Sequence, residues 1–364
     1  MIYLDYQATT PLAPEALDAM LPWLRDQHAN PHSTHAAGRK AKAAVEHARA
    51  QIAALLPPGG RVAFTSGATE ALNWAIKGTS GAIVTLATEH AAVLDTVRAS
   101  GRPVTILPVG RDGLVDLDVA EAAIVPGVGL VAAMLVNNEI GVVQSTFTLA
   151  NMARGVGARF LCDAVQGAGR IHMYDGFDLV AISAHKIHGP KGIGALFVRD
   201  GVELGTLLHG GGQEALGRSG TLSPALCAGF GVAAALMAGE YPGYHAHVAA
   251  LWQLAVARLG GDWHINGSTE QRYHGNLNIR RDGLDVARLM SELRDIAFSA
   301  GSACASGSGR SSHVLRAIGL SEAQARSSIR LGFGRYTTEA ELTEAIDRIM
   351  AAADAQHIAG GIAA

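Results

Sequence analysis

The chain has 364 residues and a formal charge of -3, with 49% hydrophobic and 17% charged residues. That length suits two domains, or one large domain with a smaller companion. The balance excludes a disordered chain, and the weak charge without a basic run gives no footing for a nucleic-acid partner.

The start, Met1-Ile2-Tyr3-Leu4-Asp5-Tyr6, lacks the basic opening and apolar core of a secretory leader, so none is expected. Residues 36–56 carry Ala41, Val45, Ala48, Ile52 and Leu55 on one face, which predicts an amphipathic helix. Apolar runs then alternate with helical patterns. Val62-Ala63-Phe64 leads through a Ser-Gly turn to a helix from about Thr69. Residues 82–86 lead through Glu89-His90 into a helix. Residues 131–136 end at Asn137-Asn138, 159–162 at Asp163, and 179–183 at His185-Lys186, and 194–198 read as a further strand. Continuous apolar strands separated by helices predict an α/β fold around a mostly parallel sheet buried on both faces. In such sheets ligands sit beyond the carboxyl ends of the strands, which would bring Asn138, Asp163, His185 and Lys186 into one crevice.

Residues 224–239 are strongly apolar but shorter than the roughly 20 residues a membrane span needs, so a buried helix is expected and no membrane association. A composition shift at Glu240-Tyr241-Pro242-Gly243 predicts a domain boundary. Leu277-Asn278-Ile279 reads as a strand. A last helix starts at a capping box, Thr338 with Glu341, and the Ala/Gly-rich end at 351–364 is expected to fray.

Five lysines occur in the chain: Lys40, Lys42, Lys77, Lys186 and Lys191. Lys186 follows an apolar strand and lies between His185 and His188, where burial and nearby dipoles would free its amine for Schiff-base chemistry. Lys191, in Gly-Pro-Lys-Gly, reads as a turn. Thr65-Ser66-Gly67-Ala68-Thr69-Glu70 joins a strand to a helix whose first N–H groups can hold a phosphate. It matches no nucleotide-binding motif. Asp163 has capping as its default role, and His90 alone reads as a core or capping residue. Three widely spaced cysteines argue against a disulfide framework or a zinc site, and for a reducing, cytoplasmic setting. Cys162 and Cys227 fall in core patterns. Cys304 sits in a small-residue segment, 299–312, where a thiol is unusual.

These segments, in this order, resemble the cysteine desulfurases, which belong to the class V aminotransferases among fold-type I pyridoxal-phosphate (PLP) enzymes. The resemblance runs from Tyr3-Leu4-Asp5-Tyr6-Gln7 through Asn30-Pro31-His32-Ser33, Thr88-Glu89-His90, Asp163-Ala164-Val165-Gln166, Ser183-Ala184-His185-Lys186 and Arg218-Ser219-Gly220-Thr221 to Ser302-Ala303-Cys304 and Ser328-Ile329-Arg330. It implies a seven-stranded, mostly parallel large domain (15–243), a smaller α/β domain (244–364) and an N-terminal segment (1–14) packing on the latter. It implies that Lys186 holds PLP, that Asp163 pairs with the pyridine nitrogen, that Gln166 bonds the ring hydroxyl and that His90 stacks on the ring. Ala68, Thr69, Ser183 and His185 would hold the phosphate, with Thr221 supplied by the second subunit of a homodimer. Arg330, Asn138 and Asn30 would bind the substrate carboxylate.

The implied reaction takes sulfur from L-cysteine as a persulfide on Cys304, releases L-alanine, and passes the sulfur to an acceptor such as an iron–sulfur scaffold protein. No metal is implied. A selenocysteine lyase or an aminotransferase of the same class, and a non-catalytic scaffold, are the alternatives. The short end of the chain leaves docking of a scaffold through a C-terminal tail open. Gly309-Arg310-Ser311-Ser312 stands where relatives with long cysteine segments carry proline.

Overall fold

The protein is described by a computed structural model covering residues 1–239, 241–301 and 312–362. Cys304 and the rest of 302–311 lie outside the described residues.

Strand and helix alternate as the apolar runs predict. After β1 (Ile2–Tyr3), α1 (Pro14–Arg25) and α2 (Ala36–Ala53) come β2 (Gly60–Thr65), α3 (Ala68–Lys77), β3 (Ala82–Leu86), α4 (Ala91–Ala99) and β4 (Val104–Leu107). There follow α5 (Leu117–Ala123), β5 (Val128–Met134), α6 (Thr146–Gly155), β6 (Arg159–Asp163), β7 (Leu179–Ser183) and β8 (Gly194–Arg199). The strands form one sheet in the order β2-β8-β7-β6-β5-β3-β4. Only β8 runs against its neighbours, pairing antiparallel with both β2 and β7, so the sheet is mixed and mostly parallel. The short strand β4 is the one the sequence did not signal: its Thr105 and Ile106 are exposed at the sheet's edge, so no apolar run marks it.

Side chains of a strand alternate between two faces, and here both are covered. Val180 and Ile182 of β7 join Phe64, Val131 and Phe160 in one core, while Leu179 and Ala181 join Ile83, Leu130 and Leu196 in another. Burial of each such Val, Leu or Phe is worth about 1.5–3 kcal/mol. This two-sided burial fixes the strand register, and with it the position of every polar residue at a strand end.

Helix α7 (Pro224–Gly239) packs on α1 and α2 and buries Cys227, Phe230 and Met237. Eight of its sixteen residues are buried and most of the rest are half-buried, which accounts for its high apolarity. Among the described residues no single helix is long and apolar enough to cross a membrane.

The remaining chain builds a smaller unit. It comprises α8 (Tyr241–Ala257), β9 (His264–Ile265), β10 (Asn276–Arg280), α9 (Val286–Glu292), β11 (Ile296–Ala297) and β12 (Ser299–Ala300). Then come α10 (His313–Ala317), α11 (Glu322–Arg326), β13 (Ser328–Gly332) and α12 (Glu339–Ile362). A four-stranded antiparallel sheet, β12-β13-β10-β9, shares a core with Leu251, Trp252, Leu342, Ile346 and Ile349. Leu4 lies in that core and β1 pairs with β11, so the N-terminus belongs to this unit. Thr338 and Glu341 form the anticipated box: Glu341 N donates to Thr338 Oγ1 at 3.2 Å and Thr338 N to Glu341 Oε2 at 3.0 Å. The expected fraying from 351 is corrected, since α12 continues to Ile362 with Ala353 fully buried.

Candidate active site

A cavity of about 600 Å³ opens at the carboxyl ends of the parallel strands. Its lining includes Ala68, Thr69, His90, Asn138, Asp163, Gln166, Ser183, His185, Lys186 and Arg330. Ten of the thirteen residues singled out in the sequence thus meet around one space, although they span 262 positions of the chain (330 minus 68).

Lys186 ends a short 3₁₀ turn after β7. Its Nζ donates to Ala8 O at 2.9 Å and to Gln7 O, two carbonyls of the N-terminal segment. Asp163 is the last residue of β6 and is buried; its Oδ1 accepts from Val165 N at 3.0 Å, the capping bond expected of an aspartate there. Burial pushes its carboxyl up, against the pull of that N–H and of the His90 and Lys186 charges.

His90 is the N-cap of α4, with Nδ1 accepting from Ala92 N at 3.0 Å. The neutral ring therefore carries its proton on Nε2. Burial lowers its pKa, opposed by Asp163 and helped by Lys186 and His313. Capping and lining the cavity are both true of this one side chain.

The start of α3 faces the same space. Gly67, its N-cap, offers no side-chain cap, and a Cβ placed there would meet nothing within 4 Å. The first-turn N–H groups are thus left for an anion. Burial would raise the Glu70 carboxyl, but hydrogen bonds from Arg218 and Ser66 hold it below its ordinary range. Glu70 accepts from Arg218 Nε at 2.7 Å, which ties the 218–221 segment to this turn. His185 faces Thr9 Oγ1 at 3.1 Å through Nδ1, and burial, then Lys186 and Lys191, bring its pKa down to about 4.

Arg330 of β13 is almost fully buried. It donates to Asp5 Oδ1 at 2.8 Å and to Asn138 O at 3.0 Å, which excludes the exposed ion pair that an isolated arginine suggests. Two expected residues stand apart. Asn30 is exposed in the loop before α2, accepts from His32 N through its Oδ1 at 2.8 Å and is not among the residues lining this cavity. Thr221 is exposed and also outside the lining. Cys304 is outside the described residues. Its flanks are tied down: Gly301 N donates to Ser328 O at 2.7 Å, and Ser312 Oγ donates to the buried Glu139 carboxylate.

The sequence reading gave no role to several residues found here. Gln7, Ala8 and Thr9 line the cavity, and Lys191 borders it from the turn anticipated for it. Glu89 is fully buried, with Oε1 accepting from Met134 N at 2.8 Å and Oε2 unpartnered; burial, then Asp163, raises its carboxyl well above the usual range. A glutamate preceding a capping histidine carries no sequence signal of such burial. The expected cofactor fits this donor set: an amine, a buried carboxylate and an uncapped helix start border one cavity large enough for it.

The family model for aminotransferase class V matches residues 2–344. The chain is 46% identical over 360 residues to the mitochondrial cysteine desulfurase of Saccharomyces cerevisiae, covering 94% of this chain and 72% of that protein. It is 41% identical over 374 residues to cysteine desulfurase IscS of Rickettsia typhi, covering 97% and 91%. Among solved structures it is similar to a NifS-like protein from Rickettsia africae, with a TM-score of 0.89, 30% identity and coverage of 96% and 98%. It is also similar to SspA in complex with cysteine, with a TM-score of 0.82, 34% identity and coverage of 93% and 100%. The fold, the cavity and these likenesses agree, and the chain belongs to the cysteine desulfurases of aminotransferase class V.

Proposed function

We propose that this cysteine desulfurase holds PLP through Lys186 and passes the sulfur of L-cysteine to Cys304. The observation that carries the reading is the meeting of the Lys186 amine, the buried Asp163 carboxylate and the open start of α3 around one cavity. PLP, when bound, supplies an electron sink for charge developing at the substrate Cα. In this reading Asp163 keeps the pyridine nitrogen protonated, Gln166 bonds the ring oxygen, and Ala68, Thr69, Ser183 and His185 hold the phosphate. Thr221 serves the site of a second subunit, in keeping with its exposure outside the cavity of its own chain.

Arg330 grips the substrate carboxylate with Asn138 beside it, as a planar guanidinium favours. Lys186 moves the proton at the substrate Cα. The Cys304 thiolate attacks the substrate sulfur; an S–S bond forms, the C–S bond breaks with its electron pair left at Cβ, which takes up a proton, and alanine leaves. The His90 Nε2–H is a donor that stabilises the thiolate. The persulfide then serves a sulfur acceptor, such as an iron–sulfur scaffold. We read the chain as a homodimer of a reducing compartment, the cytoplasm, although the yeast relative carries the name mitochondrial. We read residues 15–243 and 244–364 as its domains with 1–14 packed on the second, a division supported by two largely distinct cores, although Tyr244, Val248 and Tyr273 pack in the first.

Mass spectrometry after incubation with cysteine tests this. The expected result is one added sulfur on Cys304 and an equivalent of alanine. Lys186→Ala should lose the yellow colour that borohydride also removes, and Cys304→Ala should keep the colour and release no sulfide. Undiminished turnover in either variant overturns the assignment.

A further inference from the structure

We propose that Arg170 is a positioning residue that fixes the Gln166 amide with its NH₂ group facing the cavity. The inference rests on the cofactor reading above. Arg170 is buried to 1% exposure in the turn that follows β6. Its Nη1 lies 3.2 Å from Gln166 Oε1 and 3.3 Å from Gln166 O, and its Nη2 lies 2.5 Å from Lys186 O. The guanidinium also stands over the Tyr273 ring, 5.2 Å from its centroid.

The two ends of a glutamine amide are alike in shape, so its orientation follows from its partners. A guanidinium carries donors only. The atom facing Arg170 must therefore be the oxygen, and the NH₂ group must turn away from it. Through one of its hydrogens Gln166 Nε2 donates to Gln7 O, an N···O distance of 2.9 Å. The second is left for the cavity that Gln166 lines. Gln7 O also accepts from Lys186 Nζ, so the amide and the amine share one acceptor. Arg170 thus secures the orientation of Gln166 and the backbone of Lys186 together. Without it the Gln7 O contact alone orients the amide, and its hold on the direction of the NH₂ group weakens.

A donor on the ring oxygen of the bound cofactor stabilises negative charge there and weakens that oxygen's hold on the neighbouring imine proton. Losing a hydrogen bond to a charged group corresponds to a shift of about one pH unit. The test is a pH titration of the visible absorbance of the holoenzyme. In Arg170→Met the transition should move up by about one unit. Gln166→Leu should move it comparably, and the double variant should move it no further. Arg170→Lys, which keeps one donor, should return most of the shift.

An unmoved transition in folded Arg170→Met, or shifts that add in the double variant, overturn the proposal. Should Arg170→Met not fold, Arg170→Leu, which likewise carries no donor, is read in its place. A wild-type protein with no lysine-dependent chromophore would instead overturn the cofactor reading itself, which Lys186→Ala checks separately.

Discussion

Arg330 and Asp5 meet at 2.8 Å across 325 positions of sequence, and Ser299, next to the cysteine-bearing segment, donates to the same Asp5 oxygen at 2.7 Å. The N-terminal segment therefore orients the arginine that we assign to the substrate carboxylate. Asp5→Ala leaves a buried guanidinium without its carboxylate, which costs about 3 kcal/mol. Urea denaturation of the holoenzyme should show that loss, and steady-state kinetics should show KM for cysteine rising about tenfold. Arg330→Lys keeps the charge but loses the fork, so KM should rise with the absorbance of the resting enzyme unchanged.

Ser312 closes the other end of the 302–311 segment. It donates to the buried Glu139 carboxylate and accepts from Leu315 N at 3.0 Å as the N-cap of α10. Ser312→Ala removes a cap, at a cost of about 1 kcal/mol. It should leave the absorbance change on mixing with cysteine intact and slow the appearance of sulfur on Cys304 several-fold. Stopped-flow absorbance and quenched mass spectrometry separate the two steps.

Gly194 allows β8 to approach the turn before α3. An added Cβ would lie 2.7 Å from Gly67 Cα and 2.7 Å from Ile182 O, both backbone atoms that yield only by moving a strand or the turn. Gly194→Ala should destabilise the protein by about 1–3 kcal/mol. It should also weaken retention of PLP on dialysis, because the turn that shifts is the anion-holding one.

A buried histidine, His188, and a half-buried one, His185, set the acid limit of stability. His188 adopts a positive φ of 67°, donates Nδ1–H to Pro11 O at 3.0 Å and has a buried Nε2 without a partner. Burial, then Arg170, lowers its pKa from the usual 6.5 to about 3, while that of His185 falls to about 4. A histidine whose folded pKa is lowered takes up its proton first in the unfolded chain. Stability is therefore complete above about pH 6.5 and declines as pH falls toward 3–4. His188 alone contributes a slope of about 1.4 kcal/mol per pH unit in that window. Urea midpoints from pH 7 to 5 should show it. His188→Asn, which tolerates the positive φ, should flatten it.

The sequence by itself determined the sheet and most of the site. Continuous apolar runs such as 179–183, set between helical patterns, fit strands covered on both faces, and the polar residues that follow such runs, Asp163 or His185-Lys186, then fall at the strand ends. Local chemistry was legible too, as in the Thr338–Glu341 box and the capping by His90. Tertiary structure alone decided the reversed direction of β8, the joining of Asp5 to Arg330 and the turning of Gln166 by Arg170. Those depend on which distant groups share a desolvated space. A hydrogen bond or ion pair there is set by the packing of separate elements, and no periodicity within one segment encodes its partner.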